Sequence, residues 1–272
     1  MVSKEVVESG CADWATWFLE SRKTKLEGLK AETMTVNPLM APLIAEFHGV
    51  DSVEGLINLL VASHLMTGHA TSFGKLIDEK ILPKVFNLNK LDKKYRSENY
   101  PFSNSCFDDI DHAIKRGDGK FDLVSLKASR WTIQLAAAVN LNKSFNEIYI
   151  KHNDIINSIT IGVFYGKEED LTDKYHIARG INNGANHDVI DLTKFVFLKS
   201  GKDFWSWLND GEMQTQDWVL NGFIKAAKTS PVALEVRALR PEHNDSVAKS
   251  YFGSESFLNS ETFKNLLKNI SG

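Results

Sequence analysis

Phe107-Asp108-Asp109-Ile110-Asp111-His112-Ala113-Ile114-Lys115-Arg116-Gly117-Asp118-Gly119-Lys120-Phe121-Asp122-Leu123-Val124-Ser125-Leu126-Lys127-Ala128-Ser129-Arg130-Trp131 is the stretch whose reading decides the fold. Two runs studded with apolar residues flank Arg116-Gly117-Asp118-Gly119. Asp-Gly between such runs predicts a β-hairpin, because glycine accepts the positive φ of the turn. The first run carries Asp108, Asp109 and Asp111. The second alternates, which puts Ser125 and Lys127 on one face and Val124 and Leu126 on the other. A carboxylate on one strand and a lysine at the end of the next can hold a divalent cation and a water beside a phosphate. Charged Asp-Gly hairpins are also common on wet surfaces, so the hairpin alone does not decide its chemistry.

Working outward, the segment before the hairpin reads as mostly helical. Residues 4–32 carry an imperfect stripe of Trp14, Trp17, Phe18 and Leu26. Asp51 to Met66 forms a clearer helix: Asp51 caps it, Glu54 completes a capping box, and Val53, Leu56, Ile57, Leu60 and His64 share a face. Gly68 is expected to end it. A second helix then starts near Thr71-Ser72, carries Phe73, Leu76, Ile77, Asp78 and Glu79, and stops before Pro83. Residues 84–105 read as a polar connector. After the hairpin a helix is expected from Trp131 through Tyr149, then a strand at Ser158–Tyr165, rich in β-branched and aromatic residues. A polar loop over 178–188 leads to a strand at Val189–Leu198. Helices follow at Lys202–Leu208 and Trp218–Ala227, then a strand at Val232–Leu239 and a helix at Ser256–Ile270. Strand, strand, helix, strand predicts a mixed α/β sheet with a crossover helix. The expected organisation is one domain over 1–272, with a mostly helical region 1–100, an α/β core 101–240 and a helical segment 241–272.

Composition is that of a soluble globular chain: 43% hydrophobic and 25% charged over 272 residues. No apolar run is long enough to span a membrane, and Met1 to Trp14 has no apolar core of a secretory signal. Cys11 and Cys106 are therefore expected as reduced thiols, and the location as cytoplasmic. The net charge of −3 argues weakly against nucleic acid. Basic clusters at Arg22, Lys23, Lys25 and Lys30, and at Lys84, Lys90, Lys93, Lys94 and Arg96, argue the other way only if they share a face. The four Gly-Lys pairs, at 74, 119, 166 and 201, lack the Ser or Thr of a phosphate-binding loop. G-x-G-x-x-G, H-E-x-x-H, G-x-S-x-G and C-x-x-C are all absent. These absences argue against a nucleotide cofactor, a zincin site and a hydrolase elbow.

The hairpin remains. Phosphodiester hydrolysis calls for a divalent cation, and Mg²⁺ takes oxygen ligands, usually one or two carboxylates with waters and substrate oxygens. Asp111 supplies a carboxylate, the Leu126 carbonyl a further ligand, and Lys127 an ammonium to hold the water and offset developing charge.

Asp111, thirteen residues, then Ser125-Leu126-Lys127, followed by Arg130 to Gln134, resembles the restriction-endonuclease-like nucleases of the PD-(D/E)xK superfamily. Thr71-Ser72-Phe73-Gly74-Lys75 through Glu79 is similar to the helix that carries an acidic residue ahead of the hairpin in type II restriction enzymes. Gly201-Lys202-Asp203-Phe204-Trp205 is similar to a late segment of the same enzymes. The resemblance covers about residues 51 to 210. It implies a restriction-endonuclease-like mixed sheet flanked by helices, Mg²⁺-dependent cleavage of double-stranded DNA, and a homodimer with no membrane partner. It also implies catalytic roles for Asp111 and Lys127. Two departures stand out: Ile110 replaces the family's proline, and Ser125 replaces the middle acidic residue. Some members with Ser-x-Lys recruit a carboxylate from elsewhere. Glu79 is the choice here, for catalysis and for the metal, with Glu46, Asp122 and Glu147 as rivals. Asp122 has the wrong parity to join Lys127. For base readout, Arg130 and Gln134 follow the catalytic strand, and Arg179, Asn182, Asn183, Asn186 and His187 form a second donor-rich loop. The alternatives are a nicking or repair nuclease of the same superfamily, and a DNA-binding domain whose site has decayed at Ser125.

Overall fold

The computed structural model describes residues 1–34, 36–128, 133–182, 184 and 186–271. The chain is mixed α/β, with one five-stranded sheet flanked by helices; α4 (Lys93–Glu98), α6 (Asp173–Ala178) and α8 (Thr215–Thr229) are among the chain's helices. Its contacts divide it into two compact units, one of Met1–Trp14 with Lys75–Lys225, the other of Ala15–Gly74 with Ala226–Gly272. The units interleave in sequence, so neither coincides with the contiguous segments 1–100, 101–240 and 241–272.

The first unit holds the sheet. Strands β1 (Asn89–Lys90), β2 (His112–Lys115), β3 (Phe121–Lys127), β4 (Ile156–Val163) and β5 (Val196–Ser200) lie in the order β1-β2-β3-β4-β5. β1, β2 and β3 pair antiparallel, while β3, β4 and β5 pair parallel. The expected hairpin is therefore β2 and β3. Its turn closes with Gly119 N donating to Arg116 O at 3.0 Å, Gly119 at φ 84°, and the Asp118 carboxylate accepting from Lys120 N at 3.0 Å.

Register puts Ala113, Leu123, Ser125, Ile159, Ile161, Val196 and Leu198 on one face. Helix α5 (Leu135–His152) covers that face with Ala138, Leu141, Phe145 and Ile148, spaced as one helical stripe. α5 is the crossover that parallel β3 and β4 require. The opposite face meets α7 (Gly201–Leu208): a Cβ on Gly162 would stand 2.4 Å from Phe204 Cε2. Glycine there lets an aromatic ring seat against the sheet. Gly162→Val is expected to lower unfolding stability by about 3 kcal/mol through overpacking. An unchanged urea midpoint would show that Phe204 does not seat there.

Five expectations are corrected. Gly68 does not end a helix. α3 runs Val53–Leu76, capped by the Ser52 hydroxyl on Gly55 N at 3.2 Å rather than by Asp51. A glycine in a helix interior costs about 1 kcal/mol, which a packed helix tolerates; the half-buried Gly68 gives its carbonyl to Arg22 Nη1 at 3.3 Å. Nor does the chain break before Pro83. A π-helical stretch, Ile77–Val85, continues it, with Phe86 N donating to Ile81 O at 3.3 Å. The widened turn admits a proline that would disrupt a regular α-helix.

The expected strand at Val189–Leu198 begins only at Val196. The buried Asn142 side chain takes Ile190 N at 2.8 Å and gives to Ile190 O at 2.9 Å, so that segment's backbone is satisfied off the sheet. Val232–Leu239 is not a strand but the start of α9 (Val232–Phe252), with Pro241 inside it. A short run such as Val-Ala-Leu-Glu-Val is ambiguous between the two periods, and length decides for the helix.

The second unit is helical. Leu26, Leu29, Val53, Leu56, Ile57, Val61, Val247, Tyr251 and Leu266 form its core. α9 and α10 (Ser260–Ser271) and α2 (Ala41–Phe47) belong to it, with most of α1 (Lys4–Glu27) and α3. Tyr251 Oη donates to Ala31 O at 2.5 Å. Both cysteines are free and buried, and burial pushes the Cys11 thiol up to about 12. No described helix is long and apolar enough to cross a membrane.

Candidate active site

The three aspartates ahead of β2 go separate ways. Asp108 pairs with Arg96 at 2.5 Å, and Asp109 accepts from Ser144 Oγ at 3.2 Å. Asp111 turns inward. Its main chain is pinned between strands, N donating to Val124 O at 2.9 Å and O accepting from Leu91 N at 2.8 Å. Its carboxylate then reaches the next residue pair of β3, Oδ2 accepting from Leu126 N at 2.6 Å. In an extended strand a residue's N–H and C=O leave on the same side, so the Leu126 carbonyl emerges on Asp111's edge as well. Ile110 N donates to Phe107 O at 3.1 Å, a bond that a proline at this position could not make.

Burial pushes the Asp111 carboxyl above its ordinary value. The Lys127 ammonium and the Leu126 amide pull it part of the way back, and the Asp78 charge pushes it up again. The Asp111 carboxylate thus rests on the Leu126 amide and feels the charges of Lys127, Asp78 and His112. Ser125 is buried, and its hydroxyl donates to Asp109 O at 2.9 Å. That bond ties the approach loop to β3 and leaves no acid at the family's middle position.

Asp78, the residue before Glu79, holds a position that the sequence pattern does not single out. It lies in the π-helical stretch, with Oδ1 2.8 Å from His112 Nε2 and Oδ2 accepting from Lys90 Nζ at 2.5 Å. His112 is fully buried and follows Asp111 directly. Burial pushes the Asp78 carboxyl up, but the bonds and charges of His112 and Lys90 outweigh it and hold the group below the usual carboxylate value. Glu79, one position on, is exposed. A step of roughly 100° per helical residue separates neighbouring side chains, and the widened turn changes this little. The signal available in sequence was Pro83, which marks a distorted turn in an otherwise helical pattern.

No family model matches the chain, and a search of curated proteins finds no significant relative.

Of the rivals for the third acid, Asp122 is tied up at the other end of β3, with Arg116 Nε at 2.7 Å and Ser158 Oγ at 2.8 Å. Glu147 pairs with Lys151 on α5 at 2.6 Å. Glu46 lies on α2, in the helical unit. Among the described residues no cluster of three or more His, Cys, Asp or Glu side chains is arranged to hold a metal. The donor set fits Mg²⁺ in the sparse form, since that ion takes one or two carboxylates and fills the rest of its shell with waters and phosphate oxygens. Asp111 and the Leu126 carbonyl are oxygen donors of that kind, and a cation beside them would favour the charged form of the buried carboxyl.

The expected base-reading residues divide. Gln134 is exposed at the N-terminus of α5, and Asn186 is exposed in its loop. Arg179 is occupied with the backbone, Nε donating to Val196 O at 2.9 Å. Asn182 clamps its own loop, accepting from His187 N at 3.1 Å and donating to His187 O at 2.9 Å. Arg130 and Asn183 lie outside the described residues. Trp205 is buried, with Nε1 donating to Phe164 O at 2.8 Å, and Trp207 lies under Arg116 at 5.5 Å.

Proposed function

We propose that the chain is a Mg²⁺-dependent endonuclease that hydrolyses phosphodiester bonds of double-stranded DNA, with a restriction-endonuclease-like core and a homodimeric, sequence-specific mode of action. The observation that carries the reading is the Asp111 carboxylate, desolvated at the edge of the hairpin and held 2.6 Å from the Leu126 amide, with the charge of Lys127, at the end of β3, acting on it. A divalent cation bound there would neutralise phosphate charge and make water a better nucleophile. Asp111 holds that charge in a fixed place. Lys127 orients the attacking water and offsets the negative charge that builds on the phosphate oxygens. Asp78, kept ionised by Lys90 and His112, supplies the acidic charge that Ser125 does not. Glu79 is the exposed alternative for that part. Gln134 and Asn186 are the exposed groups available to base edges, and a two-fold dimer matches a palindromic site.

The test is incubation of the purified chain with phage DNA in Mg²⁺ and in EDTA, resolved on a gel. Discrete fragments in Mg²⁺ alone are expected. Nicked circles would move the reading to a nicking or repair nuclease. The buried Ser125, its hydroxyl taken up by Asp109 O, favours a second reading, a DNA-binding domain without cleavage. That reading requires retarded, intact DNA with and without Mg²⁺.

A further inference from the structure

The short helix α2 faces the wrong way for a helix that serves only its own chain. Its small residues, Ala41 and Ala45, are the buried ones, at 1% and 4% exposure. Its large apolar residues point out: Leu43 is 70% exposed and Phe47 83%. Leu39, in the turn before the helix, is 70% exposed and continues the stripe at the same four-residue spacing. Single exposed apolar side chains are normal, but a contiguous stripe marks a contact surface.

Beside this ridge lies a groove of about 930 Å³, lined by Val36, Met40, Ile44, Leu60 and Met66 among others. Ridge and groove belong to the same helical unit, between residues 36 and 72. Arg22 and Lys25 stand on the groove's rim, and Lys25 is exposed. Glu46, exposed on α2 between Leu43 and Phe47, carries the opposite charge.

We propose that this face is where a second copy of the chain docks, α2 of each copy lying in the groove of the other about a two-fold axis. A surface that carries both a ridge and a groove of matching chemistry satisfies itself in an isologous contact. Charge runs the same way: Glu46 travels with the ridge and meets the Lys25 rim of the partner copy. Interfaces of standard size take about 800 Å² from each side, with an apolar centre and a polar rim, and the stripe is suited to be such a centre. This gives the homodimer of the proposed function its contact surface, and rests on that reading only for the expectation of two-fold symmetry.

The test is analytical ultracentrifugation of the full chain at micromolar concentration, without DNA or metal, so that its result is independent of cleavage. The parent protein is expected to sediment as a dimer. Leu43→Glu with Phe47→Glu is expected to raise the dimer dissociation constant by at least about 100-fold, as loss of two central anchors does. The control Leu234→Glu, at another exposed apolar position of the same unit, leaves it unchanged. Far-UV circular dichroism checks that the variants fold. Lys25→Glu and Glu46→Lys are each expected to weaken association, and their combination to restore it; this pair keeps the test open if the double glutamate variant fails to fold. A monomeric parent would overturn the proposal, as would a dimer indifferent to both sets of changes.

Discussion

Asp111→Asn is expected to lower the rate of DNA cleavage by about 10³-fold or more, while leaving the fold at least as stable as the parent. The first part follows from losing a fixed charge where a cation binds, since each factor of ten is about 1.36 kcal/mol of barrier and metal stabilisation contributes several. The second follows from the sign of the Asp111 shift. Its carboxyl is raised in the folded protein, chiefly by burial. The folded state therefore binds the proton more tightly than the unfolded chain does. Stability falls as pH rises from the ordinary carboxylate value through the raised one, and the full cost is present above the raised value. Asparagine keeps an acceptor for Leu126 N and carries no charge to desolvate. The difference in unfolding free energy between the Asp111→Asn variant and the parent should grow in the variant's favour as pH rises through the raised value, and shrink as pH falls toward the ordinary carboxylate value. A variant that lost stability and activity together would make Asp111 a structural carboxylate. Lys127→Ala serves as the companion, with cleavage expected to drop by about 10²- to 10³-fold, the range for losing one preorganised electrostatic contact. If Lys127→Ala cut as fast as the parent, the assignment of the hairpin as a catalytic site would fail.

What was legible in the sequence was local. The β2–β3 hairpin could be read because Arg116-Gly117-Asp118-Gly119 encodes its own turn, and the crossover helix because Leu141, Phe145 and Ile148 keep one period. The nearness of Asp111 to the end of β3 follows from the same hairpin. What could not be read depended on partners distant in sequence. The segment before β5 looks like a strand until Asn142, far back on α5, takes its backbone groups. The front of α9 alternates like a strand, and only its place in a long helix decides. Asp78 and Glu79 are adjacent and chemically alike, so which of them faces His112 and Lys90 depends on how that helical stretch is turned against β1 and β2, which the sequence does not encode locally. The inverted face of α2 is visible only once Ala41 and Ala45 are known to be the buried pair.

Asp78→Asn is expected to lower cleavage by about 10²-fold at limiting Mg²⁺, as loss of one contributor to a preorganised charged site does, whereas Glu79→Gln leaves it unchanged. The contrast comes from surroundings. Glu79 is exposed, and substitutions at such positions fall within about 0.5 kcal/mol of the parent. Asp78 holds two donors at once, Lys90 Nζ at 2.5 Å and His112 Nε2 at 2.8 Å. Asparagine can satisfy one of them and leaves the lysine without its counter-charge. Removing one partner of such a hydrogen-bonded cluster costs about 1–3 kcal/mol. The pH dependence carries a sign opposite to that of Asp111. Because His112 and Lys90 overcome burial and hold the Asp78 carboxyl low, its stabilisation is fully present above the ordinary carboxylate value. It is lost as pH falls through the lowered one, so parent and Asp78→Asn should converge in acid. Raising Mg²⁺ separates the two ways in which cleavage can fail. If Asp78 supplies charge toward the cation, high Mg²⁺ recovers much of the rate and the apparent metal affinity, read by calorimetry without DNA, is weakened. If Asp78 only braces β1 against β2, the melting temperature drops and metal affinity does not move. Should Glu79→Gln lose cleavage while Asp78→Asn keeps it, the exposed glutamate is the acid that stands in for Ser125, and the Asp78 cluster is a brace of the fold.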